Sequence, residues 1–587
     1  MAVRFSRPTR LLVLFLAGCT GGAGGGRDQG GGAAGTDPDN MPPIGANSLE
    51  RNPGSTLVCD DPDALNVPAT AFNRLSPVEY VNTLRDLVDP IALPLDLGSD
   101  LPSGTVDAHG FDNNWKIQGI EEKSVEQIES IGHNVATLAM TGLEKLRIAG
   151  CPARDAASAP ACADAILATF APRAFRRELE ENERARLRTY FDTSSKAWGH
   201  EAGLSQLFEV ILGSPQLLYK VERGVSGDEP EAIRLSGDEI ATRLAYLLTA
   251  TTPDAELREA AGQGRLDTAS GVVEQFDRLM DGERLTASVK RFSSQWLRFT
   301  KLGIALPAGQ KDKVRFPLYN ESIEKALTEG MDRFVEETLL AEGGSVETLL
   351  SSNKAWVNDA SAAIYDVKPP GKSELVEVAL DSKRRRGFLT QGAVMAGFAH
   401  AAVHAPIQRG VFVLDALLCS PPPAPPPNIP TAAASALSDT LSTRQKTVMI
   451  HEKQGAACQS CHERIDAIGF AFENYDGIGR WQDEETAANG DKIPVDASSS
   501  LSETLDADGE FPNAIPMIEK LSASEQVKQC FVENFMRFAF ARDLHEADGC
   551  AIARVTDAVV KAGGSFRSLI REFVKTPAFR YRTPSAN

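Results

Sequence analysis

LSGDEIATRLAYLLTATTPDAEL, residues 235–257, sets the class of the fold. Ser236 followed three positions later by Glu239 is a capping box, in which the serine hydroxyl accepts from the third helical N–H and the glutamate reaches back to the serine N–H. Ile240, Leu244, Leu247 and Leu248 then recur on one face at helical spacing, and Thr252-Pro253 signals the start of another helix. Such a stripe is what any buried helix needs, so it reads as core packing and not as a cofactor groove. The device is repeated in RLSPVEYVNTLRDLVDP (74–90), with Ser76 as N-cap, Pro77 at the first helical position, Glu79 closing the box, and Tyr80, Val81, Leu84, Leu87 and Val88 on one face.

The same period predicts helices over 125–146, 161–169, 178–191, 202–221, 272–281, 285–299, 323–340 and 387–399. Alternating strand patterns are scarce, and SELVEVAL (373–380) is the clearest extended piece. The expected class is therefore mainly α, a multi-domain helical body.

At the N-terminus, Arg4, Arg7 and Arg10 precede LLVLFLAGC (11–19), a charged start and an apolar run too short to span a bilayer, ending in small residues and a cysteine. This is the pattern of a bacterial lipoprotein signal with Cys19 as lipid acceptor; an ordinary cleaved signal would share all of it except the purpose of the cysteine. Thr20 after that cysteine, in place of aspartate, points to outer-membrane sorting, so the expected location is the bacterial cell envelope, periplasmic or surface facing. Residues 19–55 are glycine-rich and lack apolar periodicity, as a flexible tether would be. Loss of residues 1–18 removes three arginines and no acids, taking the formal charge from −19 to −22. So acidic a surface excludes nucleic acid and favours basic partners, soluble cytochromes among them.

Domain boundaries are expected at 56–150, 151–225, 226–380, 381–485 and 505–587, all helical. CSPPPAPPPNIP (419–430) is a stiff polyproline spacer, preferred over a docking motif for a proline-binding partner, and 482–512 is polar and loop-like. Of nine cysteines, Cys19 goes to lipid and Cys458 and Cys461 to the motif below. Six remain, and in an oxidising compartment they suit three disulfides. Short local spacing favours Cys151 with Cys162 and Cys530 with Cys550, leaving Cys59 with Cys419.

The chemistry sits in GAACQSCHERIDAIGFAFENYDGIGRW (455–481). Covalent haem attachment needs two thiols and an imidazole on one side of the macrocycle, and positions i, i+3 and i+4 of a helix share a face, so Cys458 and Cys461 would form the thioethers and His462 the proximal iron ligand. Zinc would need four ligands, with His451 and a remote residue completing the set. A thioredoxin-like motif would need an α/β context that is missing, and a disulfide between residues three apart is strained. His400 or His451 is the first choice for a sixth ligand to one haem c, with His404, Met449, Met517 and Met536 behind them. His400 and His404 could also bind a metal as a pair, although they lack the glutamate of a zincin and surface or capping roles compete. Downstream, Gly469, Gly477 and Gly479 with Phe470, Phe472, Tyr475 and Trp481 read as a wrap around the haem. Asp466, Glu473 and Asp476 could support an iron ligand, lie near the propionates or form an acid–base pair, although solvated loop carboxylates that cap short helices are the commoner explanation.

Together, RLSPVEYVNTLRDLV, FAPRAFRRELEENE (170–183), the opening stretch, SQWLRF (294–299), RRGFLTQGAVM (385–395), PIQRGVFVLDALLCSPPPAPPPNIP (406–430), the motif segment and LIREFVKTPAFRYR (569–582) resemble the multi-domain cytochrome-c-associated family of planctomycetes and myxobacteria, whose modules are the domain-of-unknown-function families 1587, 1595, 1592, 1588 and 1585. The resemblance implies an exported helical protein with a cytochrome-c-like haem motif in its 1588-type part, and no particular reaction. Glu178, Thr249 and Ala250 depart from the family's usual proline, tryptophan and serine. Three functions compete: a lipid-anchored c-type haem protein in extracytoplasmic electron transfer with a redox partner protein; a haem-dependent oxidoreductase with a substrate site in the helical body; and a non-catalytic surface binding or structural lipoprotein.

Overall fold

The opening stretch forms a helix over Gly237–Thr249, with Glu239 N–H donating to Ser236 Oγ at 3.3 Å and Ser236 N–H to Glu239 Oε2 at 2.8 Å. The box at Ser76 and Glu79 closes with the same two distances. The next helix, Ala255–Gly262, begins slightly later than Thr252-Pro253 suggests, because Asp254 is the residue that caps it, accepting Leu257 N–H at 2.8 Å. In the computed structural model, residues 59, 67 and 73–584 are described, apart from 95, 98–100, 102–105, 120, 147, 149–150, 152–156, 226–231, 281–284, 300–309, 424–437 and 455. The fold is mainly α; among these residues strands occur as antiparallel pairs of two, including Val376–Ala379 of the extended piece against Lys354–Val357. No helix of the described residues is long and apolar enough to cross a membrane.

Gly237–Thr249 buries more than its stripe. Every residue from Ile240 to Thr249 except Arg243 is inside, because the helix lies between two hydrophobic cores. One core is built from residues 75–218 and takes in Tyr246, whose hydroxyl meets Thr83 Oγ1 at 2.7 Å. The other runs from the opening stretch to Phe579 without a break, so the three segments expected as domains 226–380, 381–485 and 505–587 share a single interior. Between the two cores Glu79 is buried: it caps its helix with one oxygen and takes Lys220 Nζ at 3.2 Å with the other, while Arg291 stands 3.6 Å away and pairs with Asp112 at 2.6 Å. Burial pushes the Glu79 carboxyl up, but Lys220, Arg291 and the Ser76 N–H outweigh it and hold the group below the usual carboxylate range.

Disulfides join Cys151 to Cys162, Cys59 to Cys550 and Cys419 to Cys530. The expected pairing of Cys530 with Cys550 is corrected: the nearer residue in sequence is not the nearer in space, since Cys530 faces the end of the Val413–Leu417 turn and Cys550 opens the helix Gly549–Lys561. Cys419 thereby ties the start of the proline-rich segment to the C-terminal helices; residues 424–430 of that segment lie outside the described ones.

Arg409, on the helix Pro406–Phe412, is 1% exposed and spends all five of its N–H donors on backbone carbonyls: Phe398 at 3.1, Phe472 at 2.8, Tyr475 at 3.0, Met395 at 3.1 and Asp476 at 3.2 Å. Burial lowers its pKa to about 10, leaving it charged at neutral pH. Lysine in its place has three donors and no fork, leaving at least two buried carbonyls unmet at about 1–3 kcal/mol each. Arg409→Lys is therefore expected to destabilise the larger core by about 3 kcal/mol, measured as a shift of the urea unfolding midpoint. Glu79→Gln is expected to cost about 3 kcal/mol at pH 7 by breaking a buried ion pair. A depressed carboxyl pKa contributes above its unfolded value and loses that contribution as pH falls through the folded one, so the gap between Glu79→Gln and wild type narrows below about pH 4.

Candidate functional site

Two consecutive helices build the site. The first, Thr443–Gln454, is opened by Ser442 and Gln445 in another reciprocal box, at 2.9 and 3.2 Å. The second, Ala456–Gly469, carries Cys458, Cys461 and His462 at i, i+3 and i+4. Cys461 is a half-buried free thiol, and the Cys458 side chain lies outside the described residues. This motif helix presses against Pro406–Phe412 through glycines on both sides. A Cβ on Gly410 would stand 2.0 Å from the Ile465 carbonyl oxygen, and one on Gly469 would stand 2.0 Å from that of Pro406. Only the absence of a side chain permits so close a crossing.

One turn beyond the motif, Asp466 is buried and bridges two imidazoles. Its Oδ2 lies 2.6 Å from His451 Nδ1 and its Oδ1 lies 3.3 Å from His462 Nδ1. The two rings stack with centroids 3.6 Å apart and planes at 23°. A neutral imidazole donates to a carboxylate from the nitrogen that faces it, so Asp466 assigns the Nδ1–H tautomer to His462 and leaves Nε2 with its lone pair. Both rings line one cleft, and His462, 25% exposed against 7% for His451, is the more accessible to a ligand.

That access is a cleft of about 740 Å³, within the size range of cofactor pockets. Val448, Ala467, Phe470 and Phe511 supply its apolar wall, and Arg444 lies over the Phe470 ring at 4.3 Å. The far side is Ser498–Ser500 and Glu510–Pro512, from a hairpin of Ser499–Leu501 with Gly509–Phe511 inside the stretch expected to be loop. Glu484–Thr486 with Lys492–Pro494 forms a second hairpin there. Three-residue strands carry too little alternation for sequence patterning to register.

Family models match five segments, each described as a protein of unknown function: residues 73–141 (DUF1587), 162–222 (DUF1595), 235–367 (DUF1592), 385–485 (DUF1588) and 508–579 (DUF1585). These are the planctomycete-type cytochrome-c-associated domains, in that order along the chain. The chain belongs to this family. No curated protein and no solved structure matches it. Both site helices, the stacked imidazoles and Arg409 fall inside the family's DUF1588 segment, while the Ser499 hairpin lies beyond its end, its first strand between the DUF1588 and DUF1585 matches and its second at the start of the DUF1585 match.

Other expected residues fall elsewhere. Cys19 lies outside the described residues. His451 sits beside His462, with Nδ1 committed to Asp466, and not facing it across a gap. His400 lies on the surface segment whose carbonyls hold Lys311 and is not among the described residues lining the cleft. His404 is buried against Glu473 at 2.8 Å, Met517 and Met536 are inside the core, and Met449 faces a second cleft. Of the expected haem wrap only Phe470 reaches the cleft. Phe472 and Tyr475 enter the main core, Gly477 faces Phe316 and Gly479 faces Gly392, since the segment folds back onto the protein. Nor are its carboxylates solvated: Asp466 and Glu473 hold histidines, and Asp476 accepts Ile478 and Arg480 N–H groups at 3.0 and 2.9 Å.

Asp466→Asn replaces a carboxylate that accepts twice by an amide that accepts on one side. With ¹⁵N-labelled histidine, the Nδ1–H tautomer is expected at both rings in the wild type and lost from at least one in the variant. The stability cost is expected at about 1.5–3 kcal/mol by urea unfolding, the range for hydrogen bonds to charged groups.

Proposed function

We propose that the chain is an exported, lipid-anchored c-type haem protein that takes part in extracytoplasmic electron transfer. The observation that carries this reading is His462: it follows Cys461 on one helix, its Nδ1 is held by Asp466, and it borders a cofactor-sized cleft. Cys458 and Cys461 would be the thioether anchors and His462 Nε2 the iron ligand. Asp466 orients the ring and raises its basicity, as carboxylate partners of ligating histidines do. Val448, Ala467, Phe470 and Phe511 would exclude water, and Arg444 is the cation placed to meet a propionate. When bound, haem c supplies a one-electron iron couple whose potential follows from axial ligand, hydrogen bonding and burial.

The N-terminal pattern supports export, lipidation at Cys19 and an outer-membrane location, and the acidic charge supports a basic redox partner steered by long-range attraction. The cytochrome-c association of the family's domains agrees with a cytochrome-related role.

Matured in a host with haem-attachment machinery, the wild type is expected to show one covalent haem per chain in its pyridine haemochrome spectrum and intact mass. Cys458→Ala with Cys461→Ala is expected to abolish covalent attachment. A wild-type chain that leaves that host without haem overturns the proposal.

A further inference from the structure

A second cluster of metal-ligating groups lies beside the helix Thr443–Gln454, whose first residue donates to Glu485. His404, Glu473 and Glu485 each bring a ligand atom to within 4.8 Å of the others. They come from three separate segments: the residue before Ala405 at the start of Pro406–Phe412, the turn after the motif helix, and the first strand of the Glu484 hairpin. His404 and Glu473 are 3% and 4% exposed, with His404 Nε2 2.8 Å from Glu473 Oε2. The second Glu473 oxygen, Oε1, is buried with no hydrogen-bond partner, in a residue that lines a cleft of about 460 Å³ shared with Glu485 and Met449. An unmet carboxylate oxygen in a protein interior is costly, and a cation is the partner that removes the cost most completely.

We propose that His404, Glu473 and Glu485 bind a first-row divalent cation, a centre separate from the motif cleft. One imidazole and two carboxylates suit Zn²⁺, Mn²⁺ or Fe²⁺ better than a thiolate-seeking ion. Glu485 is already oriented, since its two oxygens accept Thr443 N–H at 3.1 and 3.0 Å and Thr443 Oγ1 at 2.5 Å, the kind of outer contact that fixes a ligating carboxylate. Binding places the metal where the His404 Nε2 proton stood against Glu473 Oε2, and the ring keeps its one proton on Nδ1, so the imidazole ligates as a neutral group. Three protein ligands leave coordination positions open toward the cleft. Arg444, Val448 and Glu452 line both clefts, at i, i+4 and i+8 on one face of the helix, so this ridge divides the two clefts.

The test is a titration of the full-length, haem-matured and chelator-treated protein with Co²⁺, followed by equilibrium dialysis and visible absorption. One Co²⁺ per chain is expected, with ligand-field bands and no thiolate charge-transfer band. Glu473→Gln and Glu485→Gln are each expected to weaken binding at least about ten-fold, with Glu485→Gln melting in chelator close to wild type. Glu485 is half-buried at the surface, so Glu485→Gln decides the matter if Glu473→Gln fails to fold. Cys458→Ser with Cys461→Ser is expected to leave Co²⁺ binding unchanged. Absent stoichiometric uptake, unaltered binding in Glu485→Gln, or loss of binding in the cysteine variant overturns the proposal.

Discussion

The Arg409 guanidinium is the point from which the larger core is organised. The segment after the motif helix, from Phe472 to Gly479, is mostly buried and has only isolated turns and the Tyr475–Trp481 bridge to satisfy its carbonyls. Each buried carbonyl needs a donor. Arg409 takes three of them, Lys311 takes Gly477 at 2.8 Å and Arg385 takes Gly479 at 2.8 Å. The same cations reach back to Met395, Phe398, Ala396 and Thr390, so the two irregular segments are held to each other through charge. Carbonyl dipoles in turn solvate the cations where water cannot.

This arrangement sets the stage for the site. With the post-motif segment drawn into the core, the motif helix is free to rest on Pro406–Phe412 through Gly410 and Gly469 while turning His462 outward. Asp466 and His451 occupy the seam between the two site helices, where a carboxylate shared by two imidazoles fixes both rings. The cleft is closed on its far side by the Ser499–Phe511 hairpin, which follows the family segment that contains the motif. Glu473, in the turn after the motif helix, pairs with His404 and not with the imidazoles beside the motif.

Long-range ties hold these parts in place. Cys59–Cys550 and Cys419–Cys530 close loops of 491 and 111 residues, and cross-links of such span restrict the unfolded chain most. The strand Tyr581–Arg582 pairs with Ile233–Arg234, bringing the C-terminal end to the start of the larger core. Glu79 performs two tasks with two oxygens, capping a helix and anchoring the cations between the cores.

Residues close in sequence were legible: the capping boxes at Ser76 and Ser236, the 3.6-residue stripes, the order of the modules, the one strand at 376–379 and the i, i+3, i+4 placement of the motif. Each depends on neighbours within about four positions, which the chain itself supplies. The tertiary structure alone decided which cysteine meets Cys530, that Asp466 and Glu473 are buried and paired with histidines, that His451 stacks on His462, and that short hairpins wall the cleft. Most of those outcomes join separate segments, up to 111 positions apart for Cys419 and Cys530. Burial, pairing and access arise only when separate segments pack, and no local pattern carries them.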